Sequence, residues 1–274
     1  MFKQKDAIVR LLRDNDPETV NLVKVQLAEA GAEAVGELRS LLALEDEAVK
    51  FHVREVLAEI DVNEALDELT LLSPMFPEHG DLEYANWLIA RAYIPGIDLA
   101  PFQEQIQEWG REIAPMIEAC TSPLERVRTL GVFMSDELGF EGNTQDYYNS
   151  DNMLLPRLIE TRMGIPISLT TLFMMIGRRA DMEIDGVNFP GNFLARHDGI
   201  LFDPFEKGRI LSEADCEEIL SRQNLPASDE HFDIATPRMM FRRILANLLY
   251  VAKNDSNERD AAVLAGWIRG LDRN

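Results

Sequence analysis

Apolar positions in the first 72 residues recur at spacings of three and four: Leu22, Val23 and Leu27, then Val35, Leu38, Leu41 and Leu42. That period places them on one face of successive short helices. Asp16-Pro17 reads as a cap followed by proline at a first helical position, and Gly31 falls where a helix should end. The run Val23, Leu27, Ala28, Glu29 returns about 30 residues later as Val53, Leu57, Ala58, Glu59, each copy with a second apolar segment behind it. A helical pair repeated at this interval suggests a HEAT-like solenoid. Two copies are few for a solenoid, so an irregular helical bundle stays open as the alternative, and either block should lean on the rest of the protein.

Residues 73–102 are broken by Pro74, Pro77, Gly80, Pro95, Gly96 and Pro101, with room for one helix, Leu82 to Tyr93. Over residues 103–139 the helical period returns, with Ile106, Trp109, Ile113, Met116 and Ile117 on one stripe. Ser122-Pro123 caps a second helix carrying Val127, Leu130 and Met134. Beyond Gly139 the texture changes. Phe140–Met153 is rich in Asn, Asp, Gly and Tyr and reads as an ordered loop. Leu154–Met163 suits a short helix, Gly164-Ile165-Pro166-Ile167-Ser168 breaks it, and Leu169–Arg179 is apolar and helical. Three strand-like runs follow, Ile184–Phe189, Phe193–His197 and Ile200–Asp203, and Asp198-Gly199 between the last two predicts a hairpin. Ser212 and Asp215 form a capping-box pattern for a helix to Leu220, and Pro237–Tyr250 with Asp260–Leu271 suggest a helical hairpin. The fold class predicted is α+β, predominantly helical, with a small antiparallel sheet.

Composition narrows the chemistry. In 274 residues there are 27 Lys+Arg against 48 Asp+Glu, a formal charge of −21, and 46% of residues are hydrophobic. The chain can build a large core, and a nucleic-acid or anionic-lipid surface would repel it. No run approaches membrane-spanning length, the N-terminus shows no leader pattern, and two cysteines suggest no disulfide framework, so a cytoplasmic protein is expected. The acidity is uneven. Residues 1–150 carry a net −17, 151–209 a net −1, 210–235 a net −6 and 236–274 a net +3. A basic protein partner would therefore meet the helical N-terminal half.

Few side chains suit catalysis. His52 sits in the N-terminal helices, and His79 and His231 in polar turns; none has a partner at zinc-site spacing, so no metal or cofactor is expected. Cys216 stands among Asp215, Glu217 and Glu218, which oppose a thiolate, and Cys120 follows a helix. Arg196 and Arg209 are the only anion contacts the region offers, unless they pair with neighbouring carboxylates. Ser168, opening an apolar helix, lies where a nucleophile meets unpaired backbone N–H groups, but serine there is also an ordinary N-cap.

Several short motifs in order resemble one family. They are Glu137-Leu-Gly-Phe140, Gly142-Asn143, Asp146-Tyr-Tyr148, Gly164-Ile-Pro-Ile-Ser-Leu169, Val187-Asn-Phe-Pro-Gly-Asn-Phe-Leu194, Phe202-Asp-Pro-Phe205 and Gly208-Arg-Ile-Leu-Ser212. Across about residues 105–222 they resemble the SirB-type, or second transglutaminase-like core, branch of the papain-like superfamily. The C-terminal hairpin resembles a tetratricopeptide-type pair. With the repeat, the resemblance gives three regions: 1–100 helical and HEAT-like, outside the family core; 101–225 the transglutaminase-like core; and 226–274 the hairpin. It also implies a triad of Cys, His and Asp, at whose positions this chain has Ser168, Asn192 and Asp203.

An amide cannot accept and return a proton near neutral pH, so Ser168 has no base at the family's position. His197 lies five residues beyond Asn192, a spacing that on a regular strand points to the opposite face. Two main readings follow, with a regulatory small-ligand site in the cleft, contacted by Arg196 and Arg209, as a third and weaker option. The first is a non-catalytic transglutaminase-like protein that binds a protein or peptide. The second is an amide or ester hydrolase or acyltransferase with Ser168 as nucleophile, His197 or the distant His79 as base, and Asp203 orienting it.

Overall fold

The computed structural model describes residues 5–273, so Met1–Gln4, the start of the stretch read for a leader, lie outside it. The described chain clusters into two compact units. One comprises the residues up to Leu71 together with Leu88–Asp98; the other comprises Leu72–Trp87 and Leu99 onward.

The first unit holds α1 (Lys5–Leu12), α2 (Pro17–Glu29), α3 (Ala32–Leu41), nearly all of α4 (Glu47–Leu72) and the second half of α5 (Leu82–Tyr93). Asp16 starts α2 by accepting from the Glu18 and Thr19 amides, both at 3.2 Å, with Pro17 directly behind it. Gly31, at φ +56°, makes the turn into α3. Leu12, Leu27, Leu38, Leu41, Val53 and Ile60 close the core. The second copy of the repeat departs from expectation. In place of a helical pair, α4 runs unbroken for 26 residues. Ile60-Asp61-Val62-Asn63 offers neither glycine nor proline to stop it.

The second unit opens with the start of α5 and continues with α6 (Ala100–Glu118), whose Ile106, Trp109, Ile113 and Ile117 point inward, and α7 (Pro123–Val132), capped by Ser122. A single π turn, Phe133–Glu137, leads to β1 (Glu141–Gly142), which pairs in parallel with β2 (Met163–Gly164) on either side of α8 (Leu155–Thr161). Next comes α9 (Pro166–Arg179), and eleven of its fourteen residues are buried. Its small polar residues Ser168, Thr170 and Thr171 are buried with the apolar ones, and Arg178 at its C-terminal end is its one exposed residue. Gly110 lets α6 lie close along it, since a Cβ there would collide with Arg179.

The sheet is antiparallel in chain order: β3 (Asp185–Val187), β4 (Leu194–His197), β5 (Ile200–Asp203) and β6 (Arg209–Ile210). Asp198 and Gly199, at φ +45° and +82°, make the predicted tight turn between β4 and β5. Ala195 and Phe202, opposite each other in register, join Phe173 of α9 in the main core. The Ser212–Asp215 box starts α10 (Glu213–Arg222). The chain closes with the hairpin α11 (Pro237–Asn254) and α12 (Glu258–Leu271), tied by Arg242 to Asp272 at 2.6 Å. The architecture is the predominantly helical α+β fold that the periodicities predict.

Candidate functional site

The site forms where the N-terminus of α9 approaches the edge of the sheet. Pro166 fixes the first helical position, so the cap is Ile165 and Ser168 stands one turn in. This corrects the reading of Ser168 as the N-cap. Its hydroxyl accepts from the Ile165 amide at 3.1 Å and lies 2.6 Å from the Asn152 carbonyl and 3.0 Å from the Ile165 carbonyl. The side chain is 3% exposed. Gly164 faces it closely: a Cβ there would meet the Ser168 Oγ at 2.9 Å and Leu158 Cδ1 at 2.8 Å.

Asn152 is the residue that sequence reasoning missed. It is buried, and its side chain holds the loop together. Nδ2 donates to the Asp146 and Tyr147 carbonyls at 2.7 and 3.1 Å, and Oδ1 accepts from Asn143 at 3.0 Å. Asn143 in turn accepts from the Asp146 amide and donates its own amide to Gly164, both at 2.9 Å. The density of Asn and Asp between 140 and 153 was the available signal that this loop is a built structure. Its consequence, a backbone carbonyl placed over Ser168, was not in the pattern.

The other two triad positions come together. Asn192 Nδ2 donates to Asp203 Oδ2 at 3.3 Å. The other carboxylate oxygen accepts from the Phe205 amide at 2.8 Å and the Glu206 amide at 3.4 Å. Asp203 is 2% exposed, and burial pushes its carboxyl up to about 6 against those two donors. Asn192 and Asp203 line a cavity of about 190 Å³ that also takes in Glu206, Arg209, Asp215 and Arg222. Among the described residues no hydrogen bond joins Ser168 to Asn192, Asp203 or any imidazole.

His197 is engaged elsewhere. Its Nδ1 lies 2.6 Å from the Glu183 carbonyl, and its buried Nε2 has no hydrogen-bond partner among the described residues, with Asp198 Oδ2 at 3.7 Å. The remaining candidates are in structural pairings. Arg209 bridges Glu206, at 2.8 Å, and Asp215, while Arg196 donates to the Phe232 carbonyl at 3.0 Å. Burial, then Asp215 and Glu213, push the Cys216 thiol up. Cys120 Sγ lies 3.2 Å from the Met116 carbonyl, and His52 lies 3.1 Å from Glu55. His231 contacts the Pro226 carbonyl at 3.2 Å, and His79 is exposed. Among the described residues no group of three His, Cys, Asp or Glu is placed to hold a metal ion.

Ser168 in the first turn of α9, Asn192 in the loop before β4 and Asp203 at the end of β5 stand at the positions that the resemblance assigns to a papain-like triad. Residues 100–246 match the family described as the transglutaminase-like superfamily. The chain belongs to that superfamily. It is 33% identical over 197 residues to a UPF0162 protein of Xylella fastidiosa (strain Temecula1 / ATCC 700964), covering 67% of this chain and 69% of that one. A UPF0162 protein of Pseudomonas aeruginosa is 33% identical over 171 residues, 61% of this chain and 62% of its own. F-box only protein 21 of Homo sapiens is 30% identical over 141 residues, which is 47% of this chain and 22% of that protein. No solved structure matches the chain significantly.

Proposed function

We propose that this protein is a non-catalytic, SirB-type transglutaminase-like protein that binds a protein or peptide partner in the cytoplasm. The observation that carries the reading is the hydroxyl of Ser168. It is buried and turned into the Asn152 carbonyl, while Asn192, which cannot shuttle a proton, occupies the base position and bonds to Asp203. Nucleophilic attack needs an exposed oxygen with a base in reach, and the alternative base considered, His197, is held by the Glu183 carbonyl. The match to a stretch amounting to 22% of a longer chain supports a module used within larger proteins. In this reading the N-terminal helices and the tetratricopeptide-like hairpin carry binding surfaces, and the acidic N-terminal half attracts basic partners.

The test is labelling of the full chain with serine- and thiol-directed acyl probes, read by mass spectrometry. Ser168 is expected to stay unlabelled. Stoichiometric acylation at Ser168, absent from Ser168→Ala, would overturn the reading in favour of a hydrolase or acyltransferase.

A further inference from the structure

A groove of about 520 Å³ lies between the 146–153 loop and one face of α11, within the range of ligand sites. In a chain with 48 acidic residues, its lining holds two arginines, Arg242 and Arg243, and no carboxylate. Arg242 is paired with Asp272. Arg243 has no salt-bridge partner among the described residues. Its guanidinium donates to the neutral Asn188 Oδ1 and lies 5.2 Å from the Phe193 ring centre. Burial lowers its pKa while the neighbouring Tyr147 phenol acts the other way, and no carboxylate lines the groove opposite it. A desolvated guanidinium with this environment favours a planar carboxylate, which it can grip with two N–H groups.

The rest of the groove is uncharged and open, and combines the amides of Asn188 and Asn247 with aromatic and aliphatic side chains. Tyr148 and Tyr250 are 59% and 47% exposed with ring centres 4.6 Å apart, and Met239 is 46% exposed. Met239, Arg242, Arg243, Ala246 and Tyr250 fall on one face of α11 over three turns, about 16 Å of helix. That length accommodates about five residues of extended chain. It exceeds what a small free carboxylate would use.

We propose that this groove binds an extended acidic peptide segment, with an Asp or Glu carboxylate on Arg243 and a neighbouring aliphatic or aromatic side chain on Tyr148, Tyr250 and Met239. The proposal deepens the binding reading above and rests on it. The two fail separately, because probe labelling of Ser168 tests one and dependence on Arg243 tests the other. The occupant is opposite in charge to the basic partner expected at the N-terminal half, so the two surfaces serve different contacts.

The experiment selects a displayed random heptapeptide library against the full chain, then measures a synthesised winner by fluorescence anisotropy. Enriched sequences are expected to place Asp or Glu beside an apolar residue. Affinity should fall about tenfold in Arg243→Gln and about threefold in Tyr250→Ala, with partial recovery in Arg243→Lys. Tyr250 is surface-exposed, so its variant keeps the test valid if Arg243→Gln fails to fold. Sodium acetate at ~10 mM should leave the peptide bound, since it lacks the apolar contact. Enrichment without acidic residues, or binding indifferent to both variants, overturns the proposal. Displacement by acetate assigns the site to a small anion instead, and self-association of the chain lost in Tyr250→Ala assigns it to a second copy.

Discussion

At the scale of single residues, the site is a set of polar groups satisfied by one another. The Ser168 hydroxyl donates a hydrogen bond to a backbone carbonyl, and the Asn192 amide donates one to Asp203. The resemblance singles out positions 192 and 203 in the sequence, and the β4–β5 hairpin folds the loop before β4 back toward the end of β5. The orientation of Ser168 was not legible, since it depends on Asn152, sixteen residues earlier, arriving over α9. Asp203 provides a measurable consequence. Burial raises its carboxyl from 3.8 to about 6, so the folded state holds this proton more tightly than the unfolded state does. The stability this group contributes therefore falls as pH rises from 3.8 to about 6 and is level above that. Asp203→Asn keeps the shape and removes the charge. It should be more stable than the parent by about 1–3 kcal/mol at neutral pH, with the gap closing below about pH 4. Urea titrations at several pH values check this; a gap independent of pH would contradict it.

At the scale of elements, α9 is the part on which the second unit is organised. It is buried along most of its length, takes the sheet on one side and α6 on another, and ends in Arg178 and Arg179. Both arginines reach Glu83 near the start of α5. Arg179 donates to its two oxygens at 2.7 and 3.1 Å, and Arg178 donates at 3.0 Å. Arg179 and Glu83 are each less than one-fifth exposed, so the pair is desolvated and removing one partner leaves a poorly hydrated charge. Glu83→Gln should cost about 1–3 kcal/mol, read as a lower urea midpoint at an unchanged slope. The helices themselves were legible from their periods and caps. Residues 83 and 179 are 96 apart in sequence, and no local signal joins them. The unbroken α4 marks the complementary limit: a repeated apolar motif does not report whether the chain turns between its two halves.

At the scale of the molecule, charge is distributed by region. The helical N-terminal half carries a net −17, the stretch holding the triad positions a net −1, and the last 39 residues a net +3. Repulsion among carboxylates in the first half opposes folding and is screened by salt. The melting temperature should therefore rise between about 10 and about 200 mM NaCl, a trend that calorimetry resolves. A melting temperature that falls over that range would mean that attractive pairs such as Arg91–Asp61 and Arg13–Asp46 outweigh the repulsion.

The sequence by itself determined the fold class, most helix starts, the β4–β5 turn and the amide at position 192 where the resemblance implies a base, because periods, caps and residue chemistry are local properties. Only the tertiary structure decided that Ser168 is buried under Asn152, that His197 is held by Glu183, and that Arg243 faces a groove without a carboxylate. Each of these depends on which groups a buried atom meets across long stretches of chain. A buried donor or cation is defined by the partners that surround it, and those are chosen by packing.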